Sequence, residues 1–136
     1  MNNQSQRTLS IIKPDAVERG IEENIKKIFT DNSLRILEEK KIIITKNEAE
    51  EFYKVHQSKP FYNDLCNYLS SGPIIVMILE GMDSVKLNRT LMGATNPKEA
   101  DAGTIRADFA DSIDANAVHG SDSLENAKIE IDYFFG

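Results

Sequence analysis

Cysteine occurs once in the 136-residue chain, at Cys66, which rules out an internal disulfide and a cysteine-built metal site. In a chain without partners for it, Cys66 reads as a small buried hydrophobe. No apolar run approaches the ~20 residues needed to span a bilayer; the longest, Ile74-Ile75-Val76-Met77-Ile78-Leu79, has strand length. The opening residues, Met1 to Arg7, are polar and lack a signal-peptide hydrophobic region, so the expected location is the cytoplasm. Positive charge is scarce: 16 Lys and Arg stand against 22 Asp and Glu, a net charge of −6. That balance argues against a general nucleic-acid binder, whose affinity rests on neutralising phosphates. A nucleotide site survives the argument, because a few converging cations can hold a triphosphate in a cleft of an otherwise acidic surface. Magnesium would cancel part of such a ligand's charge. Repeats, low-complexity stretches and linkers are also missing, and the length suits one domain over residues 1–136.

Within that domain, periodicity predicts alternating elements. Leu9 to Ile12 reads as a short strand that stops at Lys13-Pro14-Asp15. Ile21, Ile25, Ile28 and Phe29 follow helical spacing, with Glu22–Lys26 and Glu23–Lys27 as supporting pairs. Leu34 to Lys41 would suit a helix on composition, but the β-branched Ile42-Ile43-Ile44 favours a strand over 34–44. Thr45-Lys46-Asn47-Glu48 is a capping-box pattern, followed by Ala49, Phe52, Tyr53 and His56 on one helical face. Pro60 suits the first turn of another helix, with Phe61, Leu65, Tyr68 and Leu69 in phase and Ser71-Gly72-Pro73 as its stop. Residues 74–79 predict a strand buried on both faces, and Asp83 opens a helix that ends near Gly93. Ala94 to Ile113 is rich in Thr, Asn, Gly, Pro and Asp and reads as mostly loop. A short strand near Ala117–His119 precedes a last helix opened by Asp122-Ser123, with Leu124, Ala127, Ile131 and Phe134 as its buried stripe. The order fits an α+β sandwich of ferredoxin-like βαββαβ type, with a four-stranded antiparallel sheet and added helices.

The densest chemical signal is Asn116-Ala117-Val118-His119-Gly120-Ser121-Asp122-Ser123. A histidine there stands between a strand and a helix N-terminus that favours phosphate. Gly120 would let a ligand approach the backbone. Histidine can be neutral near pH 7, so His119 is an available nitrogen nucleophile if an acceptor orients its second ring nitrogen. Glu130, at the flank of the next helix's apolar stripe, is placed to do so. From spacing alone, a histidine satisfied in a tight turn accounts for the segment equally well. Lys13 after a strand, Arg89 on a helix and Arg106 in the Gly103-Thr104-Ile105-Arg106 turn could form a phosphate clamp. Taken singly, each reads as a solvated surface charge.

Longer stretches carry a resemblance. Arg7-Thr8-Leu9-Ser10-Ile11-Ile12-Lys13-Pro14-Asp15, Lys59-Pro60-Phe61-Tyr62, Ser71-Gly72-Pro73, Leu79-Glu80-Gly81, Gly93-Ala94-Thr95-Asn96-Pro97, Gly103-Thr104-Ile105-Arg106-Ala107-Asp108-Phe109 and the Asn116–Ser123 run occur in order. Over essentially its full length the chain resembles the nucleoside diphosphate kinase family. The resemblance implies ping-pong transfer of a γ-phosphate, mainly from ATP, to a nucleoside diphosphate through a phosphohistidine. His119 then matches the phosphate-accepting histidine, and Glu130 and Ser121 the pair that orients its ring. Lys13, Tyr53, Arg89, Thr95 and Arg106 match phosphate-binding positions, and Lys13 and Asn116 those that reach the ribose. Phe61 matches the aromatic that stacks on the base, with Ile113 opposite. Asp122 matches a position that helps hold magnesium (Mg2+) through water.

The resemblance also implies a homo-oligomer, hexamer or tetramer, with Thr95-Asn96-Pro97 contributing to subunit contacts. The chain departs from the family's pattern at Glu22 and Glu23, where many members have glycine or an apolar residue, and at Ser33, where many have glycine. It ends at Gly136, where members often carry a C-terminal extension that takes part in assembly. His56, beside Tyr53, is assigned a surface or structural role. Two other classes fit less well. A catalytically dead nucleotide sensor would lack His119, Glu130 or a clamp cation. An RNA-recognition domain on the same layout needs exposed aromatics and a basic face, and strand 74–79 has no aromatic.

Overall fold

The computed structural model describes residues 5–110 and 117–136. Four strands form one antiparallel sheet in the order β2-β3-β1-β4. They are β1 (Ser5–Ile12), β2 (Arg35–Ile42), β3 (Ile74–Met82) and β4 (Val118–Gly120). The helices are α1 (Pro14–Glu18), α2 (Glu22–Asp31), α3 (Lys46–Phe52), α4 (Tyr62–Leu69), α5 (Ser84–Met92), α6 (Ile105–Phe109) and α7 (Leu124–Phe135). The expected βαββαβ sandwich is therefore present. No helix among the described residues is long and apolar enough to cross a membrane.

The two central strands explain the layers. β1 and β3 are buried on both faces over residues 8–12 and 74–79, so each face has its own cover. Ile12, Ile75, Met77 and Leu79 pack with Ile25 and Phe29 of α2, Met92 of α5 and Ile105 of α6. Leu9, Ile11, Ile74 and Val76 pack on the other side with Ala49 of α3, Cys66 and Leu69 of α4 and Phe134 of α7. The edge strand β2 carries Glu38, Glu39, Lys40 and Lys41 in exposed positions, charges of the kind that blunt an open edge.

Local chemistry fixed several boundaries differently from periodicity. β2 stops at Ile42: Ile43 is exposed, and Ile44 turns into the second core. Lys26 pairs with Glu23 at 3.1 Å and with Glu39 of β2 at 2.6 Å rather than with Glu22, because the strand brings a carboxylate closer than the helix does. Pro60 lies ahead of α4, whose N-cap is Phe61. The helix ends on Ser70 in right-handed backbone, and Gly72 is not left-handed; it lies against Pro14 instead. Residues 94–110 are not simply loop, since Thr104 caps α6 by accepting Ala107 N and Pro97–Glu99 forms a single 3-10 turn. Leu124 is exposed at the first turn of α7, while Ala127 and Phe134 are buried. Helix α1 has no helical periodicity to read, since it is a single turn with Pro14 at its start. The Thr45 capping box forms with both arms, at 2.9 and 3.1 Å.

Ser33 follows the C-cap Asn32 of α2 with φ +70°. Leu34 N donates to Phe29 O at 3.0 Å, and the two side chains share a core. That is the Schellman arrangement, which favours glycine at the left-handed position because a Cβ is strained there. We predict that Ser33→Gly raises unfolding free energy by about 0.5–1 kcal/mol, the relief of strain outweighing the added freedom of the unfolded chain. Thermal melting should rise by roughly 2–4 °C; an unchanged or lowered melting temperature would show that Ser33 is unstrained.

Candidate active site

Strand β4 is short, but three constraints fix it. It pairs with β1 so that His119 lies opposite Ile11 and Gly120 opposite Ser10. Ala117 enters it with φ +72°, a left-handed conformation that L residues adopt only under constraint. The Ala117 carbonyl accepts Lys13 N at 2.8 Å. One turn thus sets both the start of the His119 strand and the backbone of Lys13. Gly120 also has a packing role. A Cβ there would lie 2.3 Å from Asn88 Nδ2 and 2.9 Å from Met92 Sδ, so the glycine lets α5 pack against β4.

The His119 ring faces α3 and α7. Phe52 meets it edge-on at 5.2 Å between centroids, and Tyr53 at 6.0 Å. His119 Nε2 lies 3.1 Å from Glu130 Oε1. The same oxygen accepts Ser121 Oγ–H at 2.7 Å. Ser121 is completely buried, and its Oγ also accepts Leu9 N at 3.3 Å, so its single proton is directed to Glu130. Glu130 is then an acceptor for both neighbours, and the proton between it and His119 belongs on Nε2. In neutral imidazole that leaves the lone pair on Nδ1. Ser123 supports the arrangement by capping α7, its Oγ accepting Asn126 N at 3.1 Å. Glu130 lies two turns further along the same helix.

Two cations lie inside the protein. Lys13, the N-cap of α1, is 4% exposed and Arg106 is 8% exposed. Arg106 is on α6, not in a turn. Its guanidinium donates to Gly93 O at 3.0 Å and to Val118 O at 2.9 Å, lacing the end of α5 to β4. The Gly93 corner is close-packed: its φ is +87°, and a Cβ there would lie 2.5 Å from Thr104 Oγ1. Burial first, and then the charge of Arg89, pull the Arg106 guanidinium down to about 10, so it stays cationic at neutral pH. Tyr53 caps α3, and its buried hydroxyl has no hydrogen-bond partner among the described residues. Burial, then the negative charge of Glu130, hold this phenol well above its usual range.

The remaining predicted residues among those described are exposed. Arg89 is exposed on α5, and Thr95 is exposed just beyond Gly93. Asp122 is exposed and accepts Asn126 Nδ2 at 2.6 Å. A cavity of about 800 Å3 beside the site takes in Arg89 and Asp122 but is not lined by His119, Lys13 or Arg106. The chemistry lies in the side chains around the histidine rather than in that cavity. Phe61 is 44% exposed and lies 5.9 Å from His56, which in turn lies 6.3 Å from Tyr53. His56 is therefore part of a row of rings running from His119 to Phe61. Phe52 was missed as a site residue, although it shares the helical face of Tyr53. Ile113 and Asn116 lie outside the described residues.

Comparisons with known proteins agree with this geometry. Residues 6–136 match the family model described as nucleoside diphosphate kinase. The chain is 64% identical over 130 residues to a nucleoside diphosphate kinase of Campylobacter lari, covering 96% of this chain and 95% of that one. It is 62% identical to one from Helicobacter hepaticus with the same coverage. Among solved structures, the Aquifex aeolicus nucleoside diphosphate kinase superposes with a TM-score of 0.95 at 39% identity, over 98% of this chain and 96% of that chain. The apo enzyme from Encephalitozoon cuniculi gives 0.93 at 37% identity, over 96% and 89%. The chain belongs to the nucleoside diphosphate kinase family, a family of enzymes.

Proposed function

We propose that this chain moves the γ-phosphate of a nucleoside triphosphate, mainly ATP, to a nucleoside diphosphate by way of a phosphate on His119 Nδ1. The observation that carries the reading is the pair of contacts on Glu130 Oε1, which occupy Nε2 and leave Nδ1 to react. Nδ1 attacks the γ-phosphorus, a bond to nitrogen forms, and the bond to the bridging oxygen breaks. The diphosphate departs with that oxygen. Positive charge grows on the ring as the lone pair is used, and the Glu130 carboxylate stabilises it where it develops. A second diphosphate enters and the steps run in reverse.

The rest of the site is assigned by the family resemblance. Lys13, Arg89 and Arg106 hold phosphate oxygens, with Thr95 and the Tyr53 hydroxyl as neutral donors. Phe61 stacks on the base with Ile113 opposite, and Lys13 and Asn116 reach the ribose. A ring face serves any base, so acceptors should differ little. No three His, Cys, Asp or Glu side chains cluster among the described residues. A magnesium ion fits here as one carried mainly by the phosphates, with Asp122 touching it through water; when bound it would neutralise phosphate charge. We assign a homo-oligomer, hexamer or tetramer. The family resemblance supports it, with the loop through Thr95, Asn96 and Pro97 as the expected contact; Asn96 Oδ1 accepts Lys98 N there at 3.1 Å.

Exchange of label from γ-labelled ATP to ADP, GDP, CDP and UDP tests the reading. The unaltered protein should use all four with kcat/KM values within about an order of magnitude of one another, because stacking does not read base edges. His119→Ala should remain folded and exchange none of them. A folded His119→Ala protein with normal exchange would remove His119 from the mechanism.

Arg106→Lys should fail differently. Lysine keeps the charge but lacks the planar fork that reaches two carbonyls. Losing those charged hydrogen bonds should lower unfolding free energy by roughly 1.5–3 kcal/mol and slow turnover as well. Unchanged melting and unchanged turnover would show that charge alone is required.

A further inference from the structure

Helix α1 begins at the phosphate site with a capping problem. The first amides of a helix have no partner within it, and its N-cap, Lys13, has no side-chain oxygen to offer. Tyr68, on α4, fills the gap: Asp15 N donates to Tyr68 Oη at 2.8 Å, across 53 residues of sequence. The two segments are also packed together, since a Cβ on Gly72, just after α4, would lie 3.6 Å from Pro14 Cβ. Lys13 is therefore pinned from both sides, by its own amide on Ala117 O at 2.8 Å and by Asp15 on Tyr68.

The other end of α4 is the base site. Phe61, its N-cap, has right-handed helical backbone, φ −85° and ψ −3°. Phe61 and Tyr68 are seven residues apart, so they lie nearly above one another on one helical face, about 10 Å apart along the axis. Tyr62 Oη donates to Glu50 O of α3 at 2.9 Å. The stretch that carries Tyr53, His56 and Phe61 is thus tied into one unit, and Tyr68 is its link to the Lys13 turn.

We infer that Tyr68 is a positioning residue that couples base stacking on Phe61 to the placement of Lys13 against the phosphates. The inference rests on the proposed roles of Phe61 and Lys13. A base seated on Phe61 settles α4, and the rigid helix carries that position to its far end. The Tyr68–Asp15 hydrogen bond passes it to the backbone that aims Lys13. Tyr68 touches no nucleotide itself.

A double-mutant cycle tests the coupling. Tyr68→Phe keeps the ring and removes the oxygen that accepts Asp15 N–H. In the otherwise unaltered protein it should lower kcat/KM for ADP and GDP by roughly fivefold to tenfold, the size of one lost hydrogen bond. In a Phe61→Ala background the same change should cost less than about twofold, because no stacked base is left to transmit. Any loss in melting temperature from Tyr68→Phe should be equal in the two backgrounds, which separates coupling from general loosening. An equal rate loss in both backgrounds, or none in either, would overturn the inference while leaving the roles of Phe61 and Lys13 standing. A Phe61→Ala protein with unchanged kcat/KM would remove the stacking role itself, and the coupling with it.

Discussion

Two donors converge on a single oxygen, Glu130 Oε1, and the chemistry of the site depends on it. The oxygen is held there by α7, which Ser123 caps immediately after the histidine strand. Ser121 is committed by Leu9 N, so it has one proton to give and one direction in which to give it. Glu130 must then act as an acceptor toward His119, which sets the tautomer before any substrate arrives. Preorganisation of this kind needs no rearrangement during reaction, and it costs little because the parts belong to the sheet and its first covering helix. The same carboxylate, second to burial, raises the Tyr53 phenol.

The cations follow a separate logic. The chain is acidic overall at −6, yet Lys13 and Arg106 are almost wholly buried at the site. A buried cation is expensive unless partners surround it. Arg106 meets the cost with two carbonyls, from Gly93 and Val118, and in doing so builds the wall it occupies. Its Nε is buried and without a partner among the described residues. Acidic surface and cationic cleft are compatible because the field that matters is local.

Much of this was legible in the sequence, for reasons that differ from residue to residue. The βαββαβ order could be read because the buried stretches of β1 and β3 are largely apolar and the helices between them are amphipathic. The Thr45 cap could be read because capping is local chemistry. Helix α6 could not, since five residues carry too little period to distinguish a turn from a helix. Ser71-Gly72-Pro73 does mark the end of α4, but the cap is Ser70, and Gly72 lies against Pro14 without left-handed backbone. Gly120 has a packing reason that the sequence does not show, its Cβ space being taken by Asn88 and Met92. Glu130 was reachable from helical phase alone. The placement of Arg106 on two carbonyls was not, because it depends on where three distant segments meet. His56 was set aside as a surface or structural residue, and its place between Tyr53 and Phe61 follows from a 3-10 turn that helical phase does not describe.

The central claim is that Glu130 occupies Nε2 and directs the phosphate to Nδ1. The direct measurement is NMR of the phosphoenzyme, made by brief exposure to ATP, with nitrogen-labelled histidine to show which ring nitrogen is coupled to phosphorus. The account predicts a single phosphohistidine, at His119, with phosphorus coupled to Nδ1 and a proton on Nε2. Phosphorus on Nε2, or on His56, would contradict it.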